Sequence, residues 1–159
     1  MKAAIYCRVS TEDQNVRQQA MHTKEWALRQ GFIIDKIIMD EESGRLPLTL
    51  RKNFMTLLDQ ILAKKYDTLI IYNLDRLTRN WDDVVYIEKI FRDNYGWLKL
   101  ISTSDVVDFN NASGRMMFRI KMAISCYMPE DMREKQKIGI DRAKAEGKYK
   151  GGQKGRSWI

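Results

Sequence analysis

Short β-rich apolar segments alternate with helical patterns along the chain, and this alternation constrains the fold more than any other feature. "DTLIIYN", residues 67–73, is apolar without polar alternation, which is typical of a strand covered on both faces of a sheet. Further strand patterns occupy residues 2–7, 32–39, 97–102 and, as a fifth strand, 106–109. Helical patterns separate them at residues 12–30, 50–64 and 81–95. The chain is therefore predicted to be an α/β three-layer sandwich with a largely parallel sheet of four or five strands.

A long helical pattern follows the sheet region, and Gly147 would end it. Four apolar residues in it recur at spacings of four, three and four: Met116, Ile120, Ala123 and Tyr127. The residues after Gly147 are rich in Gly and Lys, which is typical of a flexible hinge or tail. The predicted segments are an α/β domain (1–111), a long helix (112–147) and a basic tail (148–159).

The net charge of +7 is concentrated at one end of the chain. Residues 133–159 hold nine Lys and Arg against three Asp and Glu, so this segment alone carries +6. The asymmetry favours a polyanionic partner, nucleic acid first, although a solubilising disordered end would give the same pattern. No stretch of about 18 apolar residues occurs, and the first apolar run already ends at the charged Arg8, so neither a membrane span nor a secretory leader is expected. A cytoplasmic location is predicted.

Two polar clusters follow predicted strands. Arg8 and Ser10 come directly after the first strand, and "NLDRLTRN", residues 73–80, comes after the third. Ligands bind beyond the carboxyl ends of the strands in folds of this class, so we expect the two clusters to converge. Ser10 could instead cap the helix that follows, but Thr11 can fill that role alone.

The residue types in these clusters indicate phosphate chemistry. Arg76 and Arg79 are three residues apart and would share a face of a helical first turn, beside Asp75. Guanidinium groups match phosphate oxygens in pairs and stay charged, and a hydroxyl among them suggests phosphoryl transfer with Ser10 as the nucleophile. The alternative is a surface ion-pair network with the nearby carboxylates Asp75, Asp82 and Asp83. Neither a P-loop nor a cluster of metal ligands is present in the sequence, so no metal is expected.

"YCRVSTEDQ" followed by "NLDRLTRN" resembles the catalytic domain of serine recombinases, the resolvase and invertase family. The resemblance covers about residues 2–147. It implies that Ser10 attacks a phosphodiester of double-stranded DNA and forms a covalent 5′-phosphoserine, after which strands exchange and religate in a synaptic tetramer. The phosphodiester energy is kept in the protein linkage, so the resemblance implies no cofactor.

The resemblance also implies roles for individual residues. Three arginines would hold the scissile phosphate: Arg8, Arg76 and Arg79. Five further residues would orient or support the site: Asp75, Gln14, Gln19, Arg51 and Asp40. Basic residues of the last segment would contact DNA phosphates: Arg133, Lys148, Lys150, Lys154 and Arg156.

The chain departs from the family pattern in the long helix. Met128 and Pro129 stand where the family usually has a Glu-Arg pair, and proline in a helix interior removes one hydrogen bond. We therefore expect a kink or break near Ser125 to Pro129. Five methionines between residues 116 and 132 fit either an adaptable dimer interface or ordinary core filling.

Three functions remain open on the sequence alone. The favoured one is a site-specific DNA recombinase. The others are a catalytically weak DNA-binding or oligomerisation module that keeps the fold, and a generic hydrolase or phosphatase. A separate DNA-recognition domain is not expected in the residues after Gly147, since they are too few for a recognition helix.

Overall fold

The computed structural model describes residues 1–8, 16–105, 107, 109 and 111–148, apart from the side chains of residues 16, 129–131, 133 and 134. The chain divides into two compact units, residues 1–126 and 127–159. Several predicted site residues lie outside the described part: Ser10, Gln14, Lys150, Lys154, Arg156 and the side chain of Arg133. Within the described part, no helix is long and apolar enough to cross a membrane.

Four strands form one parallel sheet. In chain order they are β1 (Lys2–Arg8), β2 (Ile33–Asp40), β3 (Thr68–Ile71) and β4 (Lys99–Ser102). Their order in the sheet is β2-β1-β3-β4, with every pair parallel, as the alternation of elements predicts. Val107 and Phe109, the described members of the predicted fifth strand, belong to no strand. Phe109 instead packs its ring against Phe91 and Phe118, at centroid distances of 5.5 and 4.6 Å.

The helices lie where the sequence pattern places them, to within a few residues. They are α1 (Val16–Arg29), α2 (Lys52–Leu62), α3 (Trp81–Asp93) and α4 (Ala112–Ala145). Two short 3₁₀ turns precede α2 and α3, at Leu48–Leu50 and Leu74–Arg76. After α1, Gly31 turns the chain with a φ of +83°, a conformation that glycine adopts without strain. Asn80 caps α3 by accepting a hydrogen bond from the N–H of Asp82 at 3.0 Å.

The central strands β1 and β3 are covered on both faces, which explains their apolar sequences, whereas the edge strand β2 is largely exposed. Along β1, Ala4 and Tyr6 point into a core shared with α2 and α3, and Ala3, Ile5 and Cys7 point into a smaller core against α1. Successive strand residues face opposite sides of a sheet, so this one strand supports both layers. The three-layer sandwich is confirmed.

The last helix is continuous. The helical backbone runs from Ala112 to Ala145 through Pro129, so the predicted break is wrong, while a kink alone stays a prediction. Phe118, Met122 and Cys126 are its buried residues in the first unit. Four apolar side chains of the same stretch are exposed: Met116, Met117, Ile120 and Ile124. The remaining segment boundaries proposed from the sequence stay predictions.

Candidate active site

The site lies at the carboxyl ends of β1 and β3, which are neighbours in the sheet. In the sheet, β2 lies on one side of β1 and β3 lies on the other. The connection from β1 therefore runs in one direction and the connection to β3 in the other, and the ends of β1 and β3 flank this topological switch point. Open α/β sheets bind ligands at such a point. Arg8 ends β1, and the 3₁₀ turn Leu74–Arg76 follows β3, so two polar segments distant in sequence meet here.

Arg8 is a buried cation surrounded by other cations. Only 3% of the residue is exposed, its Nη1 donates to the carbonyl oxygen of Glu42 at 3.2 Å, and its Nε has no hydrogen-bond partner among the described residues. Burial lowers the pKa of Arg8, and the charges of Arg51, Arg79 and Arg76 lower it further. An anion in this crevice would relieve both the desolvation and the mutual repulsion.

The segment after β3 presents a carboxylate and two further arginines. Arg76 ends the 3₁₀ turn and Arg79 precedes α3, so the two do not share the first turn of a helix as predicted. Arg79 forms an ion pair with Asp75 at 3.9 Å, and its backbone N–H donates to the carbonyl of Gly44 at 2.9 Å. The other oxygen of Asp75, Oδ1, is buried and has no hydrogen-bond partner in the described part of the chain.

The two other carboxylates of the alternative ion-pair network lie in different environments. Asp83 is buried and accepts hydrogen bonds from the N–H of Leu48, at 3.1 Å, and from Oγ1 of Thr78, at 2.7 Å. Asp82 lies at the start of α3, where its N–H is capped by Asn80. Asp75 is the carboxylate that forms an ion pair with Arg79.

Arg51 lies beneath the cluster and is fully buried. Each of its guanidinium nitrogens donates to the protein itself. Its acceptors are the carbonyls of Ser43, Gly44, Leu46 and Leu77 and the hydroxyl of Tyr6, at 2.7 to 3.4 Å. Arg51 therefore joins the loop at residues 43–46 to the segment that carries Arg76 and Arg79, and has no donor left over for a ligand.

Asp40 completes this underlying network. It is 2% exposed and accepts hydrogen bonds from the Tyr6 hydroxyl at 2.9 Å and from Nδ2 of Asn53 at 2.7 Å. Burial raises the pKa of Tyr6 above its ordinary value, so its hydroxyl stays protonated as the donor. Neither Tyr6 nor Asn53 is predicted from the sequence, because a strand tyrosine and a helix asparagine carry no signal that they share a carboxylate.

Gly44 was also missed as a site residue. A Cβ at this position would lie 2.9 Å from Nη2 and 3.0 Å from Cζ of Arg8, so the loop backbone rests directly on the guanidinium. In the sequence Gly44 signals only a loop, whereas its actual role is the close approach of a backbone to a side chain.

Comparison with known proteins identifies the family. The family model described as "Resolvase, N terminal domain" matches residues 3–149. The chain belongs to the resolvase family. It is a serine recombinase, the catalytic domain of a site-specific recombinase, as the two sequence motifs indicated.

Relatives within the resolvase family align with most of the length of this chain. The Tn2501 transposon resolvase of Escherichia coli is 32% identical over 154 residues, covering 90% of this chain and 71% of that protein. The DNA-invertase of Enterobacteria phage P7 is 29% identical over 148 residues, covering 92% and 72%. The solved N-terminal catalytic domain of TP901-1 integrase matches with a TM-score of 0.64 at 28% identity, covering 82% of this chain and 98% of that one.

Two further residues predicted for this resolvase-family site are described by the structure. Gln19 lies half-buried on α1. Lys148 is exposed and pairs with Glu146 at 2.9 Å. Among the residues that the structure describes, no group of three His, Cys, Asp or Glu side chains is close enough to hold a metal ion.

Proposed function

We propose that this domain cuts and rejoins double-stranded DNA through Ser10. Its oxygen attacks the phosphorus of a phosphodiester, a Ser–O–P bond forms, and the P–O3′ bond breaks. The serine loses its proton, and the leaving 3′-oxygen gains one. In the reverse step the 3′-hydroxyl of the exchanged strand attacks the phosphoserine, so the bond energy is kept and no cofactor is consumed.

The observation that carries this proposal is the buried arginine cluster. Arg8, Arg76 and Arg79 meet at the carboxyl edge of the sheet, where burial and like charges lower the pKa of Arg8. A phosphodiester gains charge on its non-bridging oxygens during attack, and preorganised guanidinium groups stabilise that charge most strongly in a crevice shielded from water. Ser10 follows Arg8 by two residues, so the nucleophile is tethered to this cluster.

Asp75 would orient Arg79 and could accept or return a proton. Its Oδ2 faces Arg79, and its Oδ1 is a buried acceptor without a partner in the described chain. Arg51 and Asp40 would act one layer below, by holding the loop and turn that carry the arginines. They are positioning residues in this proposal. Every guanidinium nitrogen of Arg51 donates to the protein itself, and both carboxylate oxygens of Asp40 accept hydrogen bonds within it.

We propose further that the domain acts as an oligomer on DNA. The exposed apolar residues of α4 would contact a second copy in a dimer and then in a synaptic tetramer. The basic residues from Arg133 onward would contact phosphates, which gives affinity and salt dependence but little sequence choice.

The decisive experiment is capture of the covalent intermediate. Wild-type protein is incubated with randomised DNA duplexes, reactions are stopped with denaturant, and the modified residue is mapped by mass spectrometry. We expect DNA attached to Ser10 and no adduct with Ser10→Ala. Ser113→Ala, which changes an exposed serine of α4, should form the adduct at the wild-type rate.

The same experiment distinguishes the recombinase from the second candidate function, a DNA-binding module. Pro129 and Met128 replace the residues that the family usually has in α4, and this departure favours a module that binds DNA without cutting it. Salt-dependent DNA binding by the wild-type protein with no adduct from any duplex would refute the proposal and support that module.

A further inference from the structure

A second polar cluster lies beside the arginines, centred on Asp105. This residue follows β4, and its carboxylate bonds to three separate elements. Oδ2 accepts from the N–H of Leu74 at 3.0 Å and from Oγ of Ser102 at 3.0 Å. Oδ1 accepts from Nζ of Lys121, on α4, at 2.7 Å. One side chain thus joins α4, the end of β4 and the turn after β3, all within the first unit.

The hydrogen bond to Leu74 places this cluster in contact with the active site. Leu74 is the first residue of the 3₁₀ turn that carries Asp75 and Arg76. The loop that contains Asp105 is itself fixed to the end of β3, since Thr103 and Ser104 donate their hydroxyls to the carbonyl of Tyr72 at 2.9 and 2.8 Å. A rigid loop therefore presents the carboxylate to the turn.

On the α4 side the connection is polar. A cavity of about 310 Å³ lies between the turn and the helix, lined by Asn73 and Asp75 on one side and by Ile124 and Ser125 on the other. Lys121 and Asp105 also line this cavity. The salt bridge between them therefore links helix to turn at the edge of this cavity.

The Lys121–Asp105 pair is only partly exposed, at 35% and 21% of the two side chains. Burial alone would raise the pKa of Asp105, but hydrogen bonds from Lys121, Leu74 and Ser102 outweigh it and lower the pKa. The carboxylate is therefore charged at neutral pH, and its bonds to Lys121 and Leu74 are charge-assisted.

We propose that Asp105 and Lys121 are positioning residues that transmit the placement of α4 to the catalytic turn. In this arrangement the Lys121–Asp105–Leu74 connection sets where Asp75 and Arg76 lie relative to Arg8. Ile120 and Ile124, the exposed neighbours of Lys121 on α4, belong to the apolar surface that would contact a second copy. Assembly on that surface would then tighten or loosen the turn through Lys121. The inference rests on the proposed function for its catalytic consequence.

The structural part is tested by amide hydrogen exchange at Leu74, measured by NMR in the full chain. Lys121→Met removes the charged donor, and we expect the Leu74 amide to exchange at least about tenfold faster, as loss of a charge-assisted bond implies. Arg119→Met is the matched control. Arg119 lies on the same helix and pairs with Glu88 of α3, so its loss removes an ion pair of α4 that does not reach the turn. An unchanged Leu74 exchange rate in Lys121→Met, or an equal acceleration in Arg119→Met, overturns the inference.

The consequence for the site is tested with inorganic phosphate as the probe. Its affinity, read from the guanidinium NMR signals of Arg8 and Arg76, should fall several-fold in Lys121→Met and in Asp105→Asn, and Lys121→Arg should restore it. A merely structural role would lower stability without this loss and rescue. If the wild-type protein binds no phosphate, the proposed function fails, while the exchange rate of the Leu74 amide still decides whether Lys121 controls the turn.

Discussion

Removing the hydroxyl of Tyr6 tests the network beneath the arginines. The residue is 1% exposed, and its hydroxyl donates to Oδ2 of Asp40 at 2.9 Å while accepting from Nη1 of Arg51 at 3.3 Å. Tyr6→Phe keeps the ring, which packs edge-on against Phe54 at a centroid distance of 5.1 Å. The substitution therefore deletes two polar contacts without opening a large cavity.

The magnitude follows from which partners are left unsatisfied. Arg51 Nη1 keeps its shorter bond to the carbonyl of Leu77, at 2.7 Å, so its loss is small. Among the described residues Asp40 loses its only donor on Oδ2 and remains buried, and hydrogen bonds to charged groups contribute about 1.5–3 kcal/mol. We expect Tyr6→Phe to lower the free energy of unfolding by about 2 kcal/mol, with little change in the denaturant slope.

The assay is urea denaturation followed by circular dichroism, with Tyr66→Phe as the matched control. Tyr66 is equally buried, at 1% exposed, but its hydroxyl has no hydrogen-bond partner among the described residues. Tyr66→Phe should therefore leave stability unchanged or raise it, since no bond is lost and a buried hydroxyl without a partner is removed. Equal losses in the two variants, or a larger loss in Tyr66→Phe, would show that the Tyr6 hydroxyl does not support Asp40.

Two further predictions concern the loop against Arg8 and the carboxylate behind the catalytic turn. Gly44→Ala places a Cβ 2.9 Å from Nη2 of Arg8, so the guanidinium must move. The rate of covalent adduct formation should then fall at least about tenfold. The control is Gly139→Ala, whose Cβ would meet no atom within 4 Å and which should leave the rate unchanged. Asp105 has a lowered pKa in the folded state, so its contribution to stability is complete above the ordinary carboxyl value of about 3.9 and is lost as the pH falls through the lowered value. The stability difference between wild type and Asp105→Asn in urea titrations should therefore stay constant above the ordinary carboxyl pKa of about 3.9 and shrink as the pH falls through the lowered pKa of Asp105. A difference that grows on acidification would contradict this assignment.

Particular elements show how far sequence patterns reach in this fold. The uninterrupted apolar run of β3 predicts a strand buried on both faces, because only helices on both sides can cover it. Val107 and Phe109 have a similar apolar character, yet neither belongs to a strand, and Phe109 packs in the core against Phe91 and Phe118. Local apolar spacing does not distinguish these two fates, since both bury the same side chains.

The long helix α4 is a second case in which a local sequence signal did not predict the structure. Proline disfavours a helix interior through one lost hydrogen bond and a local clash, and the sequence therefore predicts a break. The helix nevertheless continues through Pro129 for its full length from Ala112 to Ala145. A penalty of about 3 kcal/mol is a local term, and the many backbone hydrogen bonds of a helix of 34 residues can outweigh it.

The sequence by itself determined the class of fold and the family, and it predicted which strand ends hold the candidate site. Strand and helix periodicities are local, and two motifs at the carboxyl ends of parallel strands must approach each other once the sheet forms. Tertiary structure alone decided which groups support the site. Tyr6, Asn53 and Asp40 share one buried network, and Lys121 reaches the catalytic turn through Asp105, because packing brings together side chains from elements with no relation in sequence.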